Sequence, residues 1–175
     1  TPKAVTVTAD NKSKVYGEDD PALTATVSGT LNDDKIDYTL SREEGEDVGD
    51  YPITPAGDEV QGNYKVSYVP GTLTITTKAG ALTVTGTDYN KPYDGEYHGE
   101  AAVANITDGT TISYSTDDGK TWSTDVPQIK DVGEIKVKVK AENKNYVTAT
   151  NEYTLTVTPK AVTVTADNKS KVYGE

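Results

Sequence analysis

The chain has 175 residues, enough for one or two domains, and its 28 acidic residues against 17 basic ones leave a net charge of −11. That balance excludes the basic footprint a nucleic-acid partner requires and disfavours an anionic membrane surface for the same reason. Cys, Met and Phe are absent, so no disulfide or thiolate metal site exists and Val, Leu, Ile, Ala and Tyr must build the core; no apolar run approaches the roughly 20 residues of a membrane helix, so no membrane insertion is expected.

The predicted elements all have period two. Val5 and Val7 alternate with threonines, and Leu23, Ala25 and Val27 repeat the pattern. Residues 31–37 are the one stretch where a helical turn is an alternative to a loop. Tyr64, Val66 and Tyr68 follow, then Leu73 and Ile75, then Leu82 and Val84. The clearest alternation places Ile135, Val137 and Val139 on one face and Lys136, Lys138 and Lys140 on the other, before Leu155 and Val157 close the series. Apolar-in, charged-out alternation is the pattern of a sheet with one wet face. Gly, Asn, Asp and Pro place turns at 17–21, 29–34, 45–50, 55–63, 94–99, 108–110, 117–119 and 142–145. No window of eleven or more residues supports an amphipathic helix. Six or seven short strands in about 80 residues predict an all-β chain of two tandem small β-sandwich, Ig-like modules. A β-grasp-like sheet covered by a short helix at 31–37 is the alternative.

Internal repetition is the strongest signal. Residues 1–18 read TPKAVTVTADNKSKVYGE, and the same eighteen residues return at 158–175, 157 positions later. The chain therefore holds one full period and the start of the next, and a longer parent protein is expected. A weaker repeat lies inside the period. Lys14-Val15-Tyr16-Gly17, Asp47-Val48-Gly49, Gly62-Asn63-Tyr64 and Leu73-Thr74-Ile75 return in order as Lys91-Pro92-Tyr93-Asp94-Gly95, Asp131-Val132-Gly133, Lys144-Asn145-Tyr146 and Leu155-Thr156-Val157, at offsets of 77 to 84 residues. These motifs define modules 1–77 and 78–158, with 159–175 as the first strands of a truncated third. The connections are short (78–80 at the first junction, shorter still at the second), so an elongated, semi-rigid arrangement is expected.

The segment KSKVYGEDDPALTATVSGTL, followed by YTLSREEGEDVGDYPI and GNYKVSYVPGTLTI, closely resembles the MBG repeat of the Tyr-Gly-acidic type over residues 4–76. YNKPYDGEYHG, with ISYSTDDGKTWSTDVPQIKDVGEIKVKVKAENKNYVTATNEYTLTV, resembles the Tyr-Asp-Gly surface repeats over 82–157. The resemblance implies a secreted, extracellular protein attached to a bacterial cell wall, of the kind described as adhesins. It brings no catalytic residues and no ligand with it.

The candidate sites are few. His98 is the only imidazole, so a transition-metal site or a Ser-His pair lacks partners, and an ordinary loop histidine is expected. Asp33, Asp34 and Asp37 crowd one loop and Asp117 and Asp118 another; these are the calcium candidates, although neither has the spaced ligands and closing Glu of a calcium loop, and solvated turns explain them as well. Trp122 is the candidate for stacking on a sugar, against the competing role of packing across a hairpin. The twelve tyrosines read as scaffold, their hydroxyls bonding turns. An intramolecular Lys–Asn isopeptide bond remains compatible with the composition. No cofactor is expected. The leading functional expectation is a non-catalytic stalk unit whose partners are neighbouring repeats of the same chain. The alternative is a low-affinity adhesive module binding host mucin, glycan or matrix protein through multivalency. Residues 159–175, matching 2–18, are further expected to be able to exchange strands with another copy.

Overall fold

A computed structural model describes residues 1–174. The chain is all-β, in tandem sheet-built modules of the Ig-like sandwich type. Its strands are β1 (Lys3–Ala9), β2 (Lys12–Val15), β3 (Ala25–Ser28), β4 (Thr39–Arg42), β5 (Gly49–Ala56), β6 (Val60–Gln61), β7 (Tyr64–Val69) and β8 (Gly71–Thr76), then β9 (Val84–Thr85), β10 (Tyr89–Pro92), β11 (Val103–Ala104), β12 (Thr111–Ser115), β13 (Gly133–Asn143) and β14 (Tyr146–Thr158). Residues 31–37 do not form the helical turn of the β-grasp alternative. Asn32 and Asp33 both take positive φ (51° and 60°), and Asp34 N–H closes the turn on Leu31 O at 2.9 Å. Asn and Asp tolerate that left-handed backbone, which a right-handed helix cannot contain. The turn expected over 55–63 is also interrupted, because β5 runs to Ala56 and β6 occupies Val60–Gln61.

Two compact units are present. The first comprises Thr1–Thr83 with Ala104–Thr111 and Ala141–Ala149; the second comprises Val84–Val103, Ile112–Lys140 and the described residues from Thr150 on. The first unit thus includes three stretches of residues 78–158, namely 78–83, 104–111 and 141–149.

In the first unit two sheets, ordered β3-β1-β7-β6 and β2-β8-β5-β4, share two continuous paths of chain. β1 pairs parallel with β7, and β2 pairs parallel with β8. Both paths therefore turn from one sheet into the other at the same corner, at Asp10-Asn11 and at Pro70. Asn11 holds this corner, its Oδ1 accepting from Thr72 N–H at 2.9 Å. Gly71 is required there for space: a Cβ would lie 2.5 Å from Ala9 O. Val5, Val7, Ile36, Tyr64 and Val66 form one core cluster, and Ala9, Ile53, Leu73 and Ile75 the other. Alternation explains the membership, because every second residue is buried from Val5 on in β1 and throughout β8.

In the second unit, Val137, Val139 and Leu155 are at most 1 % exposed, joined by Tyr114, Ile129, Tyr153 and Val157. Gly86 lies against the ring of Tyr153, where a Cβ would fall 2.0 Å from Cδ1, and β9 ends just before it at Thr85. Thr158 ends β14, and 159–174 contain no strand and are exposed throughout.

Candidate functional site

The weak repeat of the sequence has a backbone counterpart. β10 pairs parallel with β14 as β2 does with β8, aligning Pro92 with Thr158 and Val15 with Thr76. Beyond each pair the motif tyrosine donates its N–H to the final threonine: Tyr16 to Thr76 O at 2.9 Å and Tyr93 to Thr158 O at 2.8 Å. The corner caps repeat too, Asn11 accepting from Thr72 N–H as Asp88 accepts from Thr154 N–H at 2.7 Å. At the entry to each module, Lys3 N–H donates to Asn63 O at 2.7 Å and Lys78 N–H to Asn145 O at 3.0 Å. The Lys–Asn and Tyr–Thr motifs are thus the fixed points of one chain path used twice.

Around Asn145 the first unit builds a network of side-chain and backbone hydrogen bonds. The Asn145 amide, 7 % exposed, accepts from Val48 N–H at 2.9 Å and donates to Asp47 Oδ1 at 2.8 Å. Lys144 Nζ donates to Asp47 Oδ2 at 2.6 Å, and Lys144 first, then Asn145, holds the Asp47 carboxyl below its ordinary range. Tyr16 and Tyr146 meet edge to face, centroids 5.4 Å apart. Asn143 braces the turn from behind, donating to Asp108 O at 2.9 Å. One amide side chain therefore serves the Asp47-Val48 loop twice, its oxygen accepting from the Val48 backbone N–H and its nitrogen donating to the Asp47 carboxylate. In the sequence these motifs are legible as repeats but not as partners; Asn before Tyr at both 63–64 and 145–146 is the available signal.

The Tyr-Gly turn carries an ion-pair cluster. Lys14, whose side chain is 3 % exposed, donates to Asp20 at 2.7 Å and Glu46 at 2.5 Å, and Arg42 bridges the same two acids. Hydrogen bonds to Asp20 and then Glu46 push the Lys14 amine up, while Arg42 and Lys14 pull the Asp20 carboxyl down. Isopeptide condensation needs a neutral amine beside a neutral acid or amide. This cluster favours the opposite charge states, and Lys14 meets carboxylates rather than an Asn.

Of the calcium candidates, Asp34, Asp117 and Asp118 have carboxylates engaged with other side chains. Asp34 accepts from Tyr64 O–H at 2.6 Å, Asp33 sits in the positive-φ turn, and Asp37 offers its backbone to Gln61. Asp117 accepts from the Thr121 hydroxyl at 2.6 Å, Thr121 N–H at 2.9 Å and the Ser115 hydroxyl at 2.7 Å, which holds its carboxyl far below the usual range. Asp118 pairs with Lys138 at 2.6 Å. Among the described residues no group of three or more His, Asp or Glu is arranged to hold a metal. The turn has Asp118 (φ 64°) and Gly119 (φ 87°) at its tip.

Trp122 closes that turn, its Nε1–H donating to Gly119 O at 3.1 Å, with Lys140 Nζ 4.8 Å from its ring; the indole stays 37 % exposed. His98 is more engaged than a solvated loop residue. It stacks on Tyr89 at 4.2 Å, its Nε2 meets both Asp94 oxygens at 2.9 and 3.0 Å, and its backbone pairs with Ile129. It therefore closes the Tyr-Asp-Gly loop. Several tyrosine hydroxyls bond turns as expected, Tyr51 to Asp47 O and Tyr68 to Asp58 O.

Residues 5–74 match the model of a family described as MBG domain (YGX type). No curated protein matches the chain. Among solved structures, the chain is similar to Sidekick-1 immunoglobulin domains 1–4 at 12 % identity and TM-score 0.46, covering 86 % of this chain and 47 % of that one. It is similar to tandem Ig repeats of Dlar at 16 % identity and TM-score 0.34, covering 91 % and 100 % of the two chains, and to Drosophila N-cadherin EC1-4 at 15 % identity and TM-score 0.39, covering 91 % and 50 %. The chain thus spans about half the length of the Sidekick-1 and N-cadherin structures.

Proposed function

We propose that this chain is one period of a non-catalytic tandem array in a large bacterial surface protein, acting outside the cell as a semi-rigid stalk that spaces a distal domain from the wall. Its modules are 1–77, of MBG type, and 78–158, of Tyr-Asp-Gly type. The observation that carries this reading is the recurrence of 1–18 at 158–175, set against fixed points that repeat in both modules with a single residue between them. Thr77 alone separates the hydrogen-bonded Thr76 from the hydrogen-bonded Lys78; Pro159 alone separates Thr158 from Lys160, the counterpart of Lys3. So few soft dihedrals leave little freedom to swing. The acidic surface keeps such an array soluble. The test is the length of chains of one to four periods by small-angle X-ray scattering: maximum dimension rising linearly with period number supports the stalk, and growth as the square root of that number overturns it.

The exposure of Trp122 and of Tyr97, 66 % exposed, favours one second reading, an adhesive module that gains strength across copies. Saturable binding of mucin or an arrayed glycan by a single period, lost in Trp122→Ala, would establish it.

A further inference from the structure

The Asp47-Val48 loop of the first unit is filled by Asn145, whereas its counterpart in the second module, Asp131-Val132, is open. Gly49 begins β5 directly after the first loop and Gly133 begins β13 directly after the second. Val48 is half-buried and served by an amide; Val132 is 55 % exposed, and Asp131 is exposed and forms no ion pair among the described residues. Tyr93, the counterpart of Tyr16, is 38 % exposed. At the other end of the period, Asn63 occupies the place of Asn145, its carbonyl already bonded to Lys3 N–H. Its side chain is exposed and forms no hydrogen bond among the described residues. The period thus has an open socket at its exit and an unused amide at its entry.

We propose that Asn63 of the following copy of this repeat fills the Asp131-Val132 socket, its Oδ1 accepting from Val132 N–H and its Nδ2 donating to Asp131, as Asn145 does for Val48 and Asp47. The chain path supports the reach. In the first unit, Tyr16 is tied to Thr76, one residue passes, and Lys78 is tied to Asn145. At the exit, Tyr93 is tied to Thr158, one residue passes, and Lys160 has the same sequence surroundings as Lys3, which is tied to Asn63. The same anchors at the same spacing bring an Asn turn to an Asp-Val loop in both cases. The second joint differs in one respect: Gly62 stands where Lys144 stands in the first, so the amide acts there without the ion pair. Lys144–Asp47 is well exposed, and exposed pairs add little, so the lock survives its absence. The inference rests on periods following one another in tandem but not on the array being a stalk.

The test is amide hydrogen exchange in a chain of two tandem periods, 1–157 followed by 1–175. The Val132 amide of the first copy is expected to exchange about tenfold or more slowly than in the 175-residue chain, and Asn63→Ala in the second copy alone is expected to abolish the slowing. Asn63→Ala in the first copy, which has no socket before it, controls for folding and is expected to leave Val132 slow. Equal Val132 exchange in the one-period and two-period chains overturns the joint, as does slowing that persists in the second-copy variant. If both copies stay folded while Val132 is unprotected, the joint falls and the tandem array stands.

Discussion

Tyr153 shows how a single polar atom can be left over by good packing. The residue is 4 % exposed and lies against Gly86, yet its hydroxyl is buried with no hydrogen-bond partner among the described residues. Desolvation, with a smaller contribution from Tyr114, pushes its pKa up to about 12. An unpaired buried hydroxyl loses its water without compensation, so removing it relieves a penalty. Tyr153→Phe is therefore expected to be neutral or to stabilise by about 1 kcal/mol in urea titration; a loss of stability would show that the hydroxyl has a partner. Asp117 is the opposite case, a carboxylate saturated by Thr121 and Ser115 and held well below its ordinary pKa. Asp20, Glu46 and Asp47 are lowered as well. A carboxyl with a lower pKa folded than unfolded binds fewer protons in the folded state, so its contribution is complete above the unfolded value of about 4 and is lost as pH falls through the folded value. The urea midpoint should be flat from about pH 6 to 8 and drop below about pH 4. Asp117→Asn should lower the plateau and flatten the acid limb; an unchanged acid limb would count against this role.

At the scale of the strand, the same sequence has two fates in one chain. Val7 in β1 is fully buried, while Val164, with identical neighbours, is 94 % exposed. Alternation made both legible as strand residues, because a period of two marks which side chains need a core. It did not show which copy has one: that depends on β3 and β7, which flank β1 from distant positions. Val7→Ala is accordingly expected to cost about 2 kcal/mol in chemical denaturation and Val164→Ala less than about 0.5. Equal effects would mean that 159–174 pack onto something. The same distinction explains what else was readable. Leu73, Ile75, Leu155 and Val157 were placed in cores by phase alone. The corner at Asn11 and Gly71 was not, since it depends on a side-chain amide and a missing Cβ meeting backbone some sixty residues away. The acids at 33, 34, 37, 117 and 118 were legible as turns, but the engagement of Asp34 with Tyr64, Asp117 with Thr121 and Asp118 with Lys138 was not, because hydroxyl and amine partners follow no local spacing.

For the whole molecule, the duplicated segment raises a competition that its identity makes unusually clean. Residues 1–17 form the inner strand β1 and the edge strand β2, and they bring Val5, Val7 and Ala9 to the cores. Residues 158–174 of another copy have the same side chains, so exchange gains the contacts it loses and still pays the entropy of association. A tethered segment also competes at an effective concentration in the millimolar range for a short flexible connection. The intact chain is therefore expected to remain monomeric well below that concentration. Removing 1–17 takes away the competitor and leaves the first unit without its inner strand, while each molecule still carries a donor at its other end. Donor and acceptor at opposite ends of the sequence make a heterologous contact, which propagates unless it closes into a ring. Multi-angle light scattering on the 18–175 chain should show mass rising with concentration, and excess synthetic peptide 1–17 should return it to single chains by capping the acceptor. A truncated chain that stays monomeric at every concentration, with or without peptide, would rule out exchange through 159–175.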